Sequence, residues 1–183
     1  MLPSPSCNHN GIRELKRIMI SEFANLKNAF ARFVTGVTVV SCQPAGAGVK
    51  PVGMTVNSFT SVSLEPPLVL WCIDKHSRIF PQFDSADNYA VSILRSDQVA
   101  ISERFATPGR HEFGDLPVDI LKTGAPVLRE RMAALDCEIE ARHDAGDHVI
   151  LLGRVVAYHY SDQKPLMYIG RTYMEGPVIT EEN

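Results

Sequence analysis

The sequence predicts a mainly β fold with peripheral helices, closed as an antiparallel barrel. Three observations carry this expectation. Runs of strand length, rich in Val, Ile and Leu, recur between breaks marked by Gly and Pro, which is how strands separated by turns read. Most of the connections are too short for the crossover that parallel neighbours require. One pair of runs, 135–141 and 149–160, forms a long hairpin around Asp144-Ala145-Gly146-Asp147.

The elements follow in chain order. Residues 1–20 carry prolines, asparagines and Arg13, Lys16 and Arg17 but no long apolar block. They read as a flexible extension, not a signal peptide, and Met19 offers a second start. The expected organisation is an extension 1–20, one domain 21–176 and a tail 177–183. Phe23, Leu26, Phe30 and Phe33 recur at helical spacing. With Ser21 as cap and Gly36 as stop, they predict an amphipathic helix whose aromatic stripe faces the core. Residues 37–42 are a β-branched run, 43–50 a turn and 51–59 a strand. Pro66-Pro67 breaks the chain before an apolar strand over 68–73. Residues 76–86 predict a helix with Pro81 in its first turn. Residues 89–94 predict a strand, 97–105 a short helix, and 107–123 a long surface loop.

Leu135, Cys137, Ile139 and Ala141 alternate with Asp136, Glu138, Glu140 and Arg142, a period of two. The return run 149–160 is apolar on both faces except at Arg154. Such a strand needs a covering layer, and a second subunit would supply it. Residues 166–173 are read as a final strand. The total is six or seven strands with two or three short helices.

Composition narrows the partners. A chain of 183 residues suits one domain that buries roughly 70% of its unfolded surface. Apolar residues make up 45% and charged residues 21%, as expected of a globular chain. The net charge is -3, with no basic block, which argues against nucleic acid and anionic membranes as partners. No apolar run approaches the roughly 18 residues of a membrane helix. Cys7, Cys42, Cys72 and Cys137 form no CxxC pair. The last three lie in strand-like runs and read as buried thiols of a reducing cytoplasm. A soluble, cytoplasmic domain with a small-molecule or protein partner remains.

The familiar chemical motifs are missing. GxGxxG, a Walker loop, GxSxG and HExxH do not occur. His143 and His148 flank Asp144 and Asp147 in the hairpin turn, which reads as solvated polarity and not as a metal site. The unusual segment is 53–63. Thr55, Asn57, Ser58, Thr60, Ser61 and Ser63 place six small polar side chains in nine positions. Hydroxyls and main-chain amides can donate to an oxyanion without adding fixed charge; a Ser/Thr-rich turn capping a strand is the plainer reading. The run Lys75-His76-Ser77-Arg78 puts cations at an expected helix start. That is a phosphate site, or else a solvated charged turn.

A resemblance draws these segments together. Its carriers are Phe33-Val34-Thr35-Gly36-Val37-Thr38-Val39-Val40, the 53–63 segment, and Leu64-Glu65-Pro66-Pro67-Leu68-Val69-Leu70. To these add Ser77, the strand 89–94, Glu103-Arg104-Phe105-Ala106, Gly146-Asp147-His148 and Gly153-Arg154-Val155. From about Glu22 to Tyr173 the chain resembles the flavin reductase-like proteins, the short-chain reductase components of two-component flavin monooxygenases. The resemblance implies a homodimeric split β-barrel that binds FMN or FAD near the dimer interface. NADH or NADPH would pass a hydride to flavin N5, and reduced flavin would leave for a separate oxygenase. It also implies residue roles. Thr55, Val56, Asn57 and Ser58 would line the isoalloxazine. Ser61, Val62, Ser63, Lys75, Ser77 and Arg78 would hold the ribityl chain and phosphate. Thr35, Gly36, Val37, Cys72 and Phe105 would complete the cofactor site, with His148 and Tyr173 beside the nicotinamide.

No catalytic side chain is assigned, because the cofactors carry the hydride. The absence of a cluster suited to a 2′-phosphate favours NADH over NADPH. Two other functions stay open at this point. One is a flavoprotein with tightly held FMN acting on its own substrate. The other is a non-catalytic flavin- or haem-binding protein.

Overall fold

The computed structural model describes residues 23–46 and 48–178. The expected cap Ser21 lies outside them. Residues 23–30 form helix α1, all of them exposed. Its stripe does not enter the core: Phe23 is 58% exposed, Phe30 68% and Phe33 76%. The helix also ends well before Gly36. Arg32 and Phe33 donate to the carbonyls of Ala29 and Phe30, the tighter i→i+3 winding that closes many helices. Gly36 instead belongs to strand β1 (Thr35–Gly36).

The β-branched run becomes β2 (Thr38–Cys42), with every residue buried. β3 (Val52–Val56) is shorter than expected and ends before Asn57. Part of the hydroxyl-rich segment is itself a strand, β4 (Thr60–Leu64), where a loop was expected. β5 (Pro67–Asp74) follows after a two-residue turn. It alternates as pleating demands: Val69, Trp71 and Ile73 point into the core. Trp71 meets the edges of Phe83 and Tyr89 at centroid distances of 4.9 and 5.9 Å.

α2 (Phe80–Asp84) keeps Pro81 in its first turn but is only the second half of the predicted helix. β6 is Asn88–Ile93 and α3 is Val99–Ala106, both close to expectation. Within the expected loop, β7 (Val118–Ile120) pairs with β8 (Pro126–Leu128). The buried carboxylate of Asp136 anchors the connection between them, accepting from the backbone N–H groups of Lys122 and Thr123.

The long hairpin is β9 (Ala133–Ala145) and β10 (His148–Tyr160). Its turn is Gly146-Asp147, where Gly146 has a φ of 71°, the left-handed region that glycine tolerates. Gly153 is required for a different reason. A Cβ there would stand 2.4 Å from the Tyr89 hydroxyl oxygen. The last predicted strand is a hairpin, β11 (Leu166–Ile169) and β12 (Thr172–Glu175), turned at Gly170-Arg171.

Seven strands make one antiparallel sheet in the order β3-β2-β6-β9-β10-β5-β4. A smaller sheet, β1-β11-β12, packs beside it. The fold is therefore mainly β and antiparallel, with few helices, as the sequence predicts. The largest core cluster surrounds Trp71, Phe83 and Tyr89. A second, around Val37, Phe105 and Leu166, lies between α3 and the small sheet. Cys42 and Cys137 are buried and Cys72 is half-buried. Burial pushes the Cys42 and Cys137 thiols up to about 12. Among the described residues, no helix is long and apolar enough to cross a membrane.

Candidate functional site

Two adjoining cavities open where β3 ends against α3. The larger, about 420 Å³, lies between Met54, Thr55, His76, Ser77, Arg78, Phe105, Ala106, Pro108 and His111. The smaller, about 180 Å³, is walled by Val37, Thr55, Val56, Asn57, Ser102, Ala106, Tyr168 and Tyr173. Thr55 and Ala106 belong to both, so the two adjoin as the halves of one two-part groove. One end holds two tyrosine rings; the other carries a guanidinium and two imidazoles.

Hydrogen bonds fix the walls. The Thr55 hydroxyl donates to the Ser102 carbonyl at 2.7 Å, joining β3 to α3. The Ser102 hydroxyl and the Tyr173 phenol lie 2.9 Å apart, joining α3 to β12. The Tyr168 and Tyr173 rings pack at 5.2 Å. At the polar end, Arg104 donates to the carbonyls of Glu112 and Phe113. The Gly53 N–H donates to the His111 carbonyl at 2.8 Å. These bonds hold the 107–113 loop over the groove.

The turn after β5 is built by Asp74. Its carboxylate accepts from the His76 backbone N–H at 2.8 Å, and the His76 Nδ1 lies 3.0 Å away. Those contacts, the backbone N–H first, hold the Asp74 carboxyl below the usual carboxylate range. The turn presents Ser77 and Arg78 to the larger cavity. The expected helix start is displaced, because α2 begins only at Phe80.

The predicted site residues divide into groups. Val37, Thr55, Val56, Asn57 and Tyr173 share the smaller cavity; Ser77, Arg78 and Phe105 share the larger with Thr55. Thr35 and Gly36 sit on β1 opposite Tyr168 and Met167, outside both. The Thr35 hydroxyl is buried without a hydrogen-bond partner. Ser58 and Cys72 are occupied with each other. The Ser58 hydroxyl donates to the Cys72 carbonyl at 3.2 Å and accepts from its N–H at 3.0 Å. Burial raises the Cys72 thiol pKa.

Other predicted residues are not brought to the groove within one chain. Ser61 and Ser63 line a separate apolar groove of about 450 Å³, with Phe59, Leu64 and Tyr158. Val62 sits at a bulge between them, 49% exposed. Lys75 does not face a phosphate pocket. Its ammonium binds Asp144 at 2.8 Å and the Gly146 carbonyl at 2.7 Å, clamping the β9–β10 turn. His148 pairs with Asp147 at 2.7 Å and lies across from Asp74, and it does not line the cavity that Tyr173 walls. Asp147 is held below its usual range by that histidine.

Ser102, Tyr168 and His111 are groove residues that sequence reasoning missed. Ser102 carries a faint signal, since it lies three and four residues before Phe105 and Ala106 on one helix face. His111 sits in an aperiodic loop and carries none.

Comparison with known proteins gives consistent matches. Residues 30–177 match the profile of the flavin reductase like domain. The chain is 44% identical over 150 residues to the FMN reductase (NADH) SmoA of Agrobacterium fabrum, covering 81% of this chain and 83% of that protein. It is 32% identical over 148 residues to HsaB of Rhodococcus jostii, a reductase subunit of a flavin-dependent monooxygenase, covering 80% and 74%. Among solved structures, the NADH:FAD oxidoreductase SgcE6 of Streptomyces globisporus, in complex with NAD and FAD fragments, superposes with a TM-score of 0.77. It is 33% identical, over 84% of this chain and 92% of that one. Some relatives are longer: the chain spans 45% of a flavin reductase relative from Rhizobium meliloti.

Proposed function

The chain belongs to the flavin reductase-like family, and from that premise we propose that it transfers a hydride from NADH to FMN or FAD and supplies the reduced flavin to a separate oxygenase. The observation that carries this is the pair of adjoining cavities, one walled by tyrosine rings and the other carrying a guanidinium. A phosphorylated flavin has the same two-part character.

The residues present fit such a ligand. Among the described residues, the side chains of Asn57 and Ser77 have no hydrogen-bond partner, and no acidic side chain pairs with Arg78. These are open donors at opposite ends of the groove. No carboxylate lines either cavity, which suits an anionic ligand. It also suits a reaction without an acid–base pair in the protein, since bound flavin supplies the hydride acceptor and nicotinamide the donor.

The chain's own tasks are then positional. Arg78 and Ser77 hold the anionic end through charge-assisted bonds. Asn57 donates to the polar ring edge. Val37, Val56, Tyr168 and Tyr173 exclude water from the face where two rings stack. With one guanidinium and a few neutral donors at hand, the grip is loose enough for reduced flavin to leave.

A homodimeric split barrel in the cytoplasm completes the reading. The outward side of β10 stays half-buried and, apart from Arg154, mainly apolar. Leu64 is 94% exposed and Tyr158 is 72% exposed, beside the apolar groove that Ser61 and Ser63 line. A second copy laid there would cover this surface. Ser61 to Ser63 of each subunit would then lie at the interface.

The test is NADH and NADPH consumption by purified protein with FMN, FAD and riboflavin as separate acceptors. NADH loss that requires added flavin, and exceeds NADPH loss, is expected. No flavin-dependent loss overturns the proposal. Reduction only with a specific organic acceptor, by protein that keeps its flavin through gel filtration, points to a flavoprotein with its own substrate.

A further inference from the structure

We infer that Ser102 is a positioning residue for the hydride-transfer reaction, setting the Tyr173 phenol that walls the smaller cavity. The inference rests on the reading of that cavity as the place where nicotinamide meets flavin.

Tyr173 stands on β12, the edge strand of the small sheet, with only β11 as a neighbour. An edge strand has freedom that a central one lacks, and the Tyr173 side chain is half-buried. Three contacts restrain its ring. It packs on Tyr168 at 5.2 Å, it belongs to the cluster around Phe105 and Leu166, and its hydroxyl lies 2.9 Å from the Ser102 hydroxyl. The first two fix the ring plane loosely. The last fixes where the phenol oxygen sits.

Ser102 is well suited to that role because it cannot itself move. It is fully buried on α3. Its backbone N–H donates to Gln98 at 3.0 Å, and its carbonyl accepts from Thr55 at 2.7 Å. Thr55 is the residue shared by both cavities. A chain Thr55–Ser102–Tyr173 therefore ties the wall on the flavin side of the groove to the wall on its far side. Among the described residues, no other partner for the Ser102 hydroxyl or the Tyr173 phenol is present. Breaking this bond leaves a buried residue's place filled and frees only the phenol. Ser77 and Arg78 line the other cavity; Asn57 shares the smaller one but makes no bond to Ser102 or Tyr173.

The experiment is a double-mutant cycle of S102A, Y173F and the pair, read by NADH KM, flavin KM and kcat, with thermal midpoints alongside. One lost neutral hydrogen bond corresponds to a change of about fivefold. Each single variant is expected to raise the NADH KM by about that factor, with flavin KM within about twofold of wild type. The double variant is expected to be no worse than either single, since both remove the same bond. Additive effects on the NADH KM, or equal rises in both KM values, overturn the inference. So does an unchanged NADH KM in Y173F, which keeps the ring and removes only the phenol oxygen. Wild-type protein that consumes no NADH with any flavin defeats the functional reading first, and the inference with it.

Discussion

Replacing Ser58 and replacing Asn57, adjacent residues in one hydroxyl-rich segment, should have opposite consequences. β4 stops pairing with β5 at Thr60 and Leu70. Continuing that antiparallel register would place residue 58 opposite Cys72, where the chain has already turned away. The Ser58 hydroxyl takes over the vacant ladder position, donating to the Cys72 carbonyl at 3.2 Å and accepting its N–H at 3.0 Å. S58A removes both bonds and leaves a half-buried N–H and carbonyl on β5. At roughly 1 kcal/mol for each net bond, the loss is about 2 kcal/mol. In a domain of this size that lowers the melting midpoint by about 4–8 °C, or the urea midpoint by about 1 M at an m-value near 2 kcal/mol/M. Asn57 is exposed and unbonded among the described residues. N57A should stay within about 0.5 kcal/mol of wild type and raise the flavin KM about fivefold. Urea titration at one fixed protein concentration, which holds any dimer contribution constant, separates the two. A Ser58 variant as stable as wild type would refute the ladder argument.

Three further outcomes follow from the same geometry. R78Q should raise the KM for FMN about fivefold, an exposed charge–phosphate contact being discounted for solvent. It should leave the KM for riboflavin, which lacks the phosphate, unchanged; equal shifts would remove Arg78 from the anionic end. G153A should cost about 2 kcal/mol through overpacking, because its Cβ meets the Tyr89 oxygen at 2.4 Å. Calorimetry showing an unshifted midpoint would contradict the close approach. Stability should fall in alkali. Cys42 and Cys137 ionise near 12 when folded but near 8.5 when unfolded. Their contribution is complete below about pH 8.5 and is lost toward pH 12, at about 1.4 kcal/mol per pH unit for each thiol. Burial raises the Tyr89 phenol in the same sense. Flat stability between pH 9 and 11 would contradict the burial.

What the sequence revealed depended on how local the cause was. β9 and β10 were legible because one face of β9 alternates cleanly, and β2, β5 and β6 because buried strands are continuous apolar runs. β4 was not, since a Thr/Ser strand on a sheet edge has no hydrophobic period and exists through its backbone pairing with β5. The β11–β12 turn is marked only by Gly170, φ 57°, because Arg171 beside it, φ 67°, is not a residue that signals such a turn. The stripe of α1 was read correctly as helical and wrongly as core. Periodicity reports that a face is apolar, not what covers it. The groove shows the same division. Thr55, Asn57, Ser77 and Arg78 stand in compositionally odd segments and line the groove. Ser102, Tyr168 and His111 arrive from distant elements, and only the folded chain joins them. Lys75 carried the right charge in the right place, but Asp144, sixty-nine positions away, already binds it.

The central claim is that flavin is a substrate that comes and goes. Anaerobic mixing of the protein with a tenfold molar excess of FMN or FAD and a larger excess of NADH tests it most directly, followed by the loss of oxidised-flavin absorbance. The account predicts that the whole flavin pool is reduced, over many turnovers per protein. Reduction that halts at one flavin per subunit, or that never begins, would contradict it.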